Sequence, residues 1–255
     1  MKYFLTTIAL LFSFQLSAKI CEGFGPQTAR DISKKKGTNP VHYSFAPSHE
    51  KLNLCNIHFH KNAEHKAKGF SVSGGKGDFG GWKCNGTKDL KPAQLAKINK
   101  NYCENVNPGD TIEVHWVHSS CDVKPGKGLG ACLSPACANP QLRVETKVFL
   151  VVNDDKATDF GKFKANMKKN KYKKYQAANY PNLKDAVQFL GSTTGPSYTE
   201  EKCSPLQVTW NVSPSCDTVS MSSLSKWCKS NAFSENKAHG VRQIVKDPRL
   251  LSEIK

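Results

Sequence analysis

A pair of histidine segments constrains this chain more than any other feature. Asn56-Ile57-His58-Phe59-His60, followed at once by Glu64-His65, is answered far downstream by Glu113-Val114-His115-Trp116-Val117-His118. Together these segments hold five of the eight histidines. Side chains alternate along a strand, so His58 and His60 share one face while Ile57 and Phe59 take the other. In the second segment Glu113, His115 and Val117 share a face, and His118 points away from it. Two imidazoles on one strand and a third on a neighbour converge on a tetrahedral metal with one position left open, the layout of a catalytic zinc centre. A lone histidine is ordinarily a surface or core residue, but H-x-H followed by a strand-borne E-x-H is a joint pattern. Metal-bound histidines need an acceptor on the other ring nitrogen. Asn56 shares the histidine face and is placed to hold His58, and Glu113 is placed to accept from a ligand ring.

The remaining patterning is short and β-like. Strands are expected over Asn53–His60, Thr111–His118, Leu142–Val152, Ala186–Leu190 and Leu206–Val212, with Gly74-Gly75 and Gly80-Gly81 as punctuation. Leu142–Val152 is apolar on both faces toward its end, as a central strand should be. One short helix is expected over Leu90–Asn99, and the lysine-rich stretch Asp159–Ala177 is either a helix or an exposed excursion. No linker or repeat divides the chain, so a single mainly β domain with long loops is the simplest architecture.

Met1-Lys2, the apolar run Phe4 to Phe14 and the small-residue site Leu16-Ser17-Ala18 read as a secretory signal spanning 1–18, removed to leave Lys19–Lys255. The run is far short of the roughly 20 residues of a bilayer span. The expected location is therefore exported, periplasmic or secreted, with no stable membrane insertion. All ten cysteines follow the signal, and an even count in an exported chain points to disulfides. Cys132 and Cys137 are near enough to close a small loop, which Cys121 is placed to clamp. Alternation puts Cys55 on the Ile57/Phe59 face. The formal net charge is +16, much of it in the runs Lys34-Lys35-Lys36, Lys168-Lys169 and Lys173-Lys174. Such a balance favours anionic surface polymers. With few arginines and no base-stacking pattern beyond Tyr172 and Tyr175, nucleic acid is not an expected partner, and a solvated basic face is the simpler account.

The ordered set HFH, EH, EVHWVH and VTW resembles the α-type carbonic anhydrases. Gly25-Pro26-Gln27-Thr28-Ala29-Arg30-Asp31-Ile32 is similar to that family's G-x-x-Q-S-P-I-x-I opening, with Ala and Arg in place of its Pro and apolar residue. Gly191-Ser192-Thr193-Thr194 with Val208-Thr209-Trp210 resembles its G-S-L-T-T…V-T-W segment. The compact run Leu54-Cys55-Asn56-Ile57-His58-Phe59-His60-Lys61-Asn62-Ala63-Glu64-His65-Lys66 is more similar still to the delta class and related bacterial proteins. The resemblance implies a central twisted, mostly antiparallel sheet with zinc in a cleft, held by His58, His60 and His115.

It further implies that Glu64 orients a gatekeeper threonine, either Thr194 or Thr193, and that Asn56 and Glu113 support ligand rings. Val117 and Trp210 would line the CO2 pocket, and Cys21 would pair with Cys203. The family's proton-shuttle histidine has no sure match, and His42 and His49 are the candidates on spacing. The implied activity is that of a lyase, reversible hydration of CO2 to bicarbonate and a proton by attack of zinc-bound hydroxide. Zinc bound by three neutral imidazoles brings its water to a pKa of about 7, a value known from carbonic anhydrases themselves. Two rivals are a catalytically silent relative that binds polyanions through its basic surface and a zinc hydrolase of another kind. The first typically loses a ligand histidine. The second would want a base such as that of HExxH, which the chain lacks.

Overall fold

The computed structural model describes residues 20–255, so the expected signal over 1–18 lies outside the described residues. The strand with most apolar character sits where it should. Leu142–Val152 is buried along its whole length and occupies the middle of a five-stranded sheet. In chain order the strands are β1 (Asn53–Lys61), β2 (Phe70–Ser73), β3 (Trp82–Cys84), β4 (Thr111–Ser119) and β5 (Leu142–Val152). They continue with β6 (Ala165–Asn166), β7 (Gln176–Ala177), β8 (Val187–Ser192) and β9 (Gln207–Ser220). The central sheet runs β1-β4-β5-β9-β8, antiparallel throughout except for the parallel pair β5 and β9. The mainly β, mostly antiparallel architecture is as expected, with that one parallel pair making the sheet mixed.

Register decides the site. His58 on β1 lies directly opposite His115 on β4, and His60 opposite Glu113. Val117 faces Val144, which faces Trp210. Because pleating alternates, Ile57, Phe59, Val114 and Trp116 turn to the other side and pack there with Phe160, Phe163, Leu224 and Trp227. The latter two belong to helix α2 (Met221–Lys229), whose cap Ser220 accepts from the Ser223 N–H and whose buried positions recur at helical spacing. Among the described residues no helix is long and apolar enough to cross a membrane.

Several expectations need correction. The helix expected over Leu90–Asn99 is a single turn, α1 (Pro92–Leu95), because Ala96 is extended and the Gln94 carbonyl is taken by the Asn153 N–H at 2.8 Å. The 159–177 stretch is an excursion rather than a helix, a short turn at Phe160–Phe163 followed by the β6–β7 hairpin. Strand β9 continues eight residues beyond Val212, to Ser220. Five disulfides join Cys21–Cys203, Cys55–Cys132, Cys84–Cys216, Cys103–Cys228 and Cys121–Cys137. The implied Cys21–Cys203 pair is present. Cys137 pairs with Cys121, however, and Cys132 reaches back to Cys55, so Cys132 and Cys137 do not close a loop. A bulge between Leu54 and Asn56 explains the last pairing. It puts Leu54 with Ile57 and Phe59, and it turns Cys55 to the histidine side, among Val117, Val144 and Trp210.

Candidate metal centre

The three expected ligand rings meet. One ring nitrogen from each of His58, His60 and His115 lies within 4.8 Å of the others. The remaining nitrogen of each ring has its own acceptor. His58 Nδ1 is 2.7 Å from Asn56 Oδ1, His60 Nδ1 is 2.8 Å from the Gly240 carbonyl, and His115 Nε2 is 2.7 Å from Glu113 Oε1. These acceptors place the ring protons outward and leave lone pairs on His58 Nε2, His60 Nε2 and His115 Nδ1. The consequence is visible in the packing. With the ring protons so placed, His58 Nε2 and His115 Nδ1 turn lone pairs toward each other at 3.2 Å, and His60 Nε2 is buried without a partner. Opposed lone pairs in a buried site call for a cation, and three imidazole nitrogens are a donor set that suits zinc. Burial holds His58 well below the usual histidine range, helped by His115, His60 and His239. Burial also lowers His60 to about 4, against the opposing pull of Glu64. Both rings are therefore neutral at physiological pH, the form a metal binds.

The supports are themselves supported. The Asn56 amide is oriented by donating Nδ2–H to the Gly126 carbonyl at 3.0 Å, and the Gly126 N–H donates to the Cys55 carbonyl at 2.9 Å. The Cys55–Cys132 disulfide holds the same loop against β1. Glu113 is buried and takes three donors: His115 Nε2–H, His65 Nδ1–H at 2.8 Å and the His65 N–H at 3.2 Å. Burial would raise the Glu113 pKa, but attraction to His65 and the hydrogen bonds it accepts from His115 and His65 outweigh it and hold the carboxyl well below the ordinary range. Glu113 is thus anchored between His115 and His65, which itself packs on Trp210 with ring centroids 4.8 Å apart. Removing the first of these supports has a defined outcome. Asn56→Ala frees the His58 ring, and zinc affinity measured by chelator competition is expected to fall by about 10–100-fold.

Beside the ring nitrogens lies a cleft of about 350 Å³ walled by Val117, Leu129, Val144, Val208 and Trp210. Thr193, Thr194 and His239 also line it. The two threonines differ. The Thr193 hydroxyl is taken by Ser204 Oγ, whereas Thr194 is half-buried and its hydroxyl makes no hydrogen bond within the described chain. Glu64 is fully buried, with Oε1 accepting from the Arg242 N–H at 2.7 Å and Oε2 unpartnered. No hydrogen bond joins it to either threonine, so the expected relay is not formed in this arrangement.

Neither shuttle candidate reaches the cleft. His42 is exposed in a separate groove beside Tyr43, Phe45 and Ile254. His49 lies across the sheet, 3.5 Å from Glu145, with its ring 4.3 Å from that of Tyr180. Glu145 is registered with Trp116, on the face turned away from His115, which is why spacing misled. His118 is on that same side, bonded through Nε2 to the Tyr180 hydroxyl at 2.7 Å, and burial lowers it to about 3. The cleft histidine is instead His239, with its ring 5.5 Å from that of His58 and its side chain 51 % exposed. Its Nε2 is 2.8 Å from Glu235 Oε1, and that bond is the main cause of its raised pKa. Sequence reading missed His239 because Lys237-Ala238-His239-Gly240 carries no strand or motif signal. Its place comes from a backbone bridge to β1, in which the His239 N–H donates to the Phe59 carbonyl and the Lys61 N–H to the His239 carbonyl.

Residues 49–223 match the family model described as delta carbonic anhydrase. No curated protein and no solved structure matches the chain.

Proposed function

This chain belongs to the delta carbonic anhydrase family, and on that premise we propose that it catalyses the reversible hydration of CO2 to bicarbonate and a proton. The observation that carries the proposal is the convergence of three imidazole rings whose outer nitrogens are each held by an acceptor. His58, His60 and His115 would hold zinc. When bound, it supplies Lewis acidity, making water a nucleophile at neutral pH, for which carbonic anhydrases are the reference case.

The chain's own residues do the rest. Asn56, the Gly240 carbonyl and Glu113 fix the angle and tautomer of the rings. Val117, Val144, Val208 and Trp210 form a dry wall suited to a small uncharged molecule, against which CO2 sits without hydrogen bonds. Thr194, with its hydroxyl free toward the cleft, is the threonine we assign to orienting the nucleophile. Glu64 Oε2 is a buried acceptor of the kind such a relay needs. His239, half in solvent and steadied by Glu235, is the group we assign to passing the proton outward from the cleft. Its substitution by alanine is expected to lower kcat about tenfold in dilute buffer, with recovery when imidazole is added. Loss that imidazole does not rescue would remove the assignment. The export reading extends to the whole chain, with 1–18 as signal and 19–255 as the catalytic domain, and five disulfides accord with an oxidising compartment. Equilibrium dialysis against zinc tests the centre itself: one ion per chain is expected, and none would contradict the ligand set.

A further inference from the structure

The side of the sheet opposite the histidines carries a second feature, unused by the chemistry above. Between Asp159 and Asp185 the chain has no acidic residue, and Lys162, Lys164, Lys168, Lys169, Lys171 and Lys173 are all exposed. This is a built structure, not a loose run of charge. Strands β6 and β7 pair at its base, and two turns order its tip. Asn166 Oδ1 accepts from the Lys168 N–H at 3.1 Å, and Asn170 Oδ1 from the Tyr172 N–H at 2.9 Å and the Lys174 N–H at 3.1 Å. The hairpin is tied to the body by Asn170 Nδ2–H donating to the Glu50 carbonyl and by the Leu54 N–H donating to the Tyr175 carbonyl. Neutralisation is slight. Lys169 meets Asp122 at 3.8 Å, and Asp122 is 84 % exposed, so the pair is worth little. Amid the lysines stand two large apolar side chains, Met167 (56 % exposed) and Tyr172 (41 % exposed). Met167 also edges a recess of about 760 Å³ in which Lys164 and Lys226 are balanced by Asp155 and Asp159, so the excess of positive charge is confined to the hairpin itself.

We propose that this hairpin docks the protein on an anionic lipid bilayer, with the lysines at the phosphates and Met167 and Tyr172 in the headgroup layer. Lysine charge is attracted to an anionic leaflet, and an exposed apolar residue beside a tyrosine gains from the interface. A soluble polyanion would use the lysines but has no use for Met167. The orientation fits. The hairpin base rests on Phe163 and Ala177, in the core formed with Ile57, Phe59 and Trp116. That core lies across β1 and β4 from His58, His60 and His115. The base of the hairpin and the histidine cleft thus lie on opposite sides of the sheet. The inference goes beyond the catalytic reading and does not depend on it.

The test is co-sedimentation of the purified protein with vesicles of phosphatidylglycerol and phosphatidylcholine, or of phosphatidylcholine alone. A parallel arm measures binding to inorganic polyphosphate and to a single-stranded oligonucleotide. Of the two vesicle types, only the anionic one is expected to bind. Lys168→Glu/Lys171→Glu/Lys173→Glu should weaken it at least about tenfold. Met167→Ser/Tyr172→Ser should weaken vesicle binding severalfold while leaving polyphosphate binding unchanged. Circular dichroism and CO2 hydration should be the same in all variants. Absent vesicle binding, or equal binding by the charge-reversed protein, would overturn the proposal. So would a Met167/Tyr172 variant with undiminished vesicle binding, which would leave a surface for soluble polyanions, and so would an oligonucleotide that binds more weakly to that variant.

Discussion

Replacing His115 by alanine is expected to abolish zinc retention and lower CO2 hydration by more than about a thousandfold. The residue is buried at the meeting of two networks. Its Nδ1 faces His58 Nε2, and its Nε2 donates to Glu113. Alanine leaves two imidazoles, too few to hold the ion against water, and also strips Glu113 of one of its three donors. The fold is expected to survive, since His115 adds little to either apolar core and the β4 backbone pairing is untouched. Zinc content by atomic absorption, read beside circular dichroism, separates loss of metal from loss of structure. A folded His115→Ala protein that keeps one zinc per chain would contradict the ligand assignment.

Glu113→Gln is the second large effect, and it acts without touching a ligand. The carboxylate accepts three hydrogen bonds. An amide offers one oxygen, and it turns an N–H toward a ring N–H or toward the His65 backbone N–H. At least one buried donor is left unpaired, at a cost of about 1–3 kcal/mol in stability. His115 is no longer held at one tautomer, so zinc affinity falls by about 10–100-fold. The pH dependence has a definite sign. A carboxyl held below its ordinary value of 4.5 contributes fully above that pH and loses its contribution as the pH falls further. The stability gap between native protein and variant should therefore be constant near neutrality and shrink on acidification. Denaturant titrations across that range read the first effect, and chelator competition reads the second. A variant of unchanged affinity would show that Glu113 does not position His115.

What was legible in the sequence, and what was not, divides along local and non-local physics. Alternation placed β1 and β4 nearly to the residue, and the doubly apolar Leu142–Val152 run marked the central strand. The clustered histidines His58, His60 and His115, with Asn56 and Glu113, follow from parity within those strands. The side of the sheet on which His49 lies depends on how the chain enters β1, which no spacing encodes. His239 and Gly240 reach the site only because a segment without strand character returns to bridge β1. Cys55 escaped parity through one bulge residue, and that same bulge redirected it to Cys132. The helix expected at Leu90–Asn99 lost to a tertiary hydrogen bond that captured Gln94. The resemblance leaves two candidates in the threonine loop, Thr193 and Thr194. The structure separates its members by their partners, Thr193 held by Ser204 and Thr194 free within the described chain.

Stopped-flow CO2 hydration on the zinc-loaded protein, repeated after chelation and again after zinc is restored, tests the central claim most directly. The account predicts catalysis well above the buffer rate, its loss on chelation and its return with zinc. A protein that binds one zinc at this centre and hydrates CO2 no faster than buffer would contradict it.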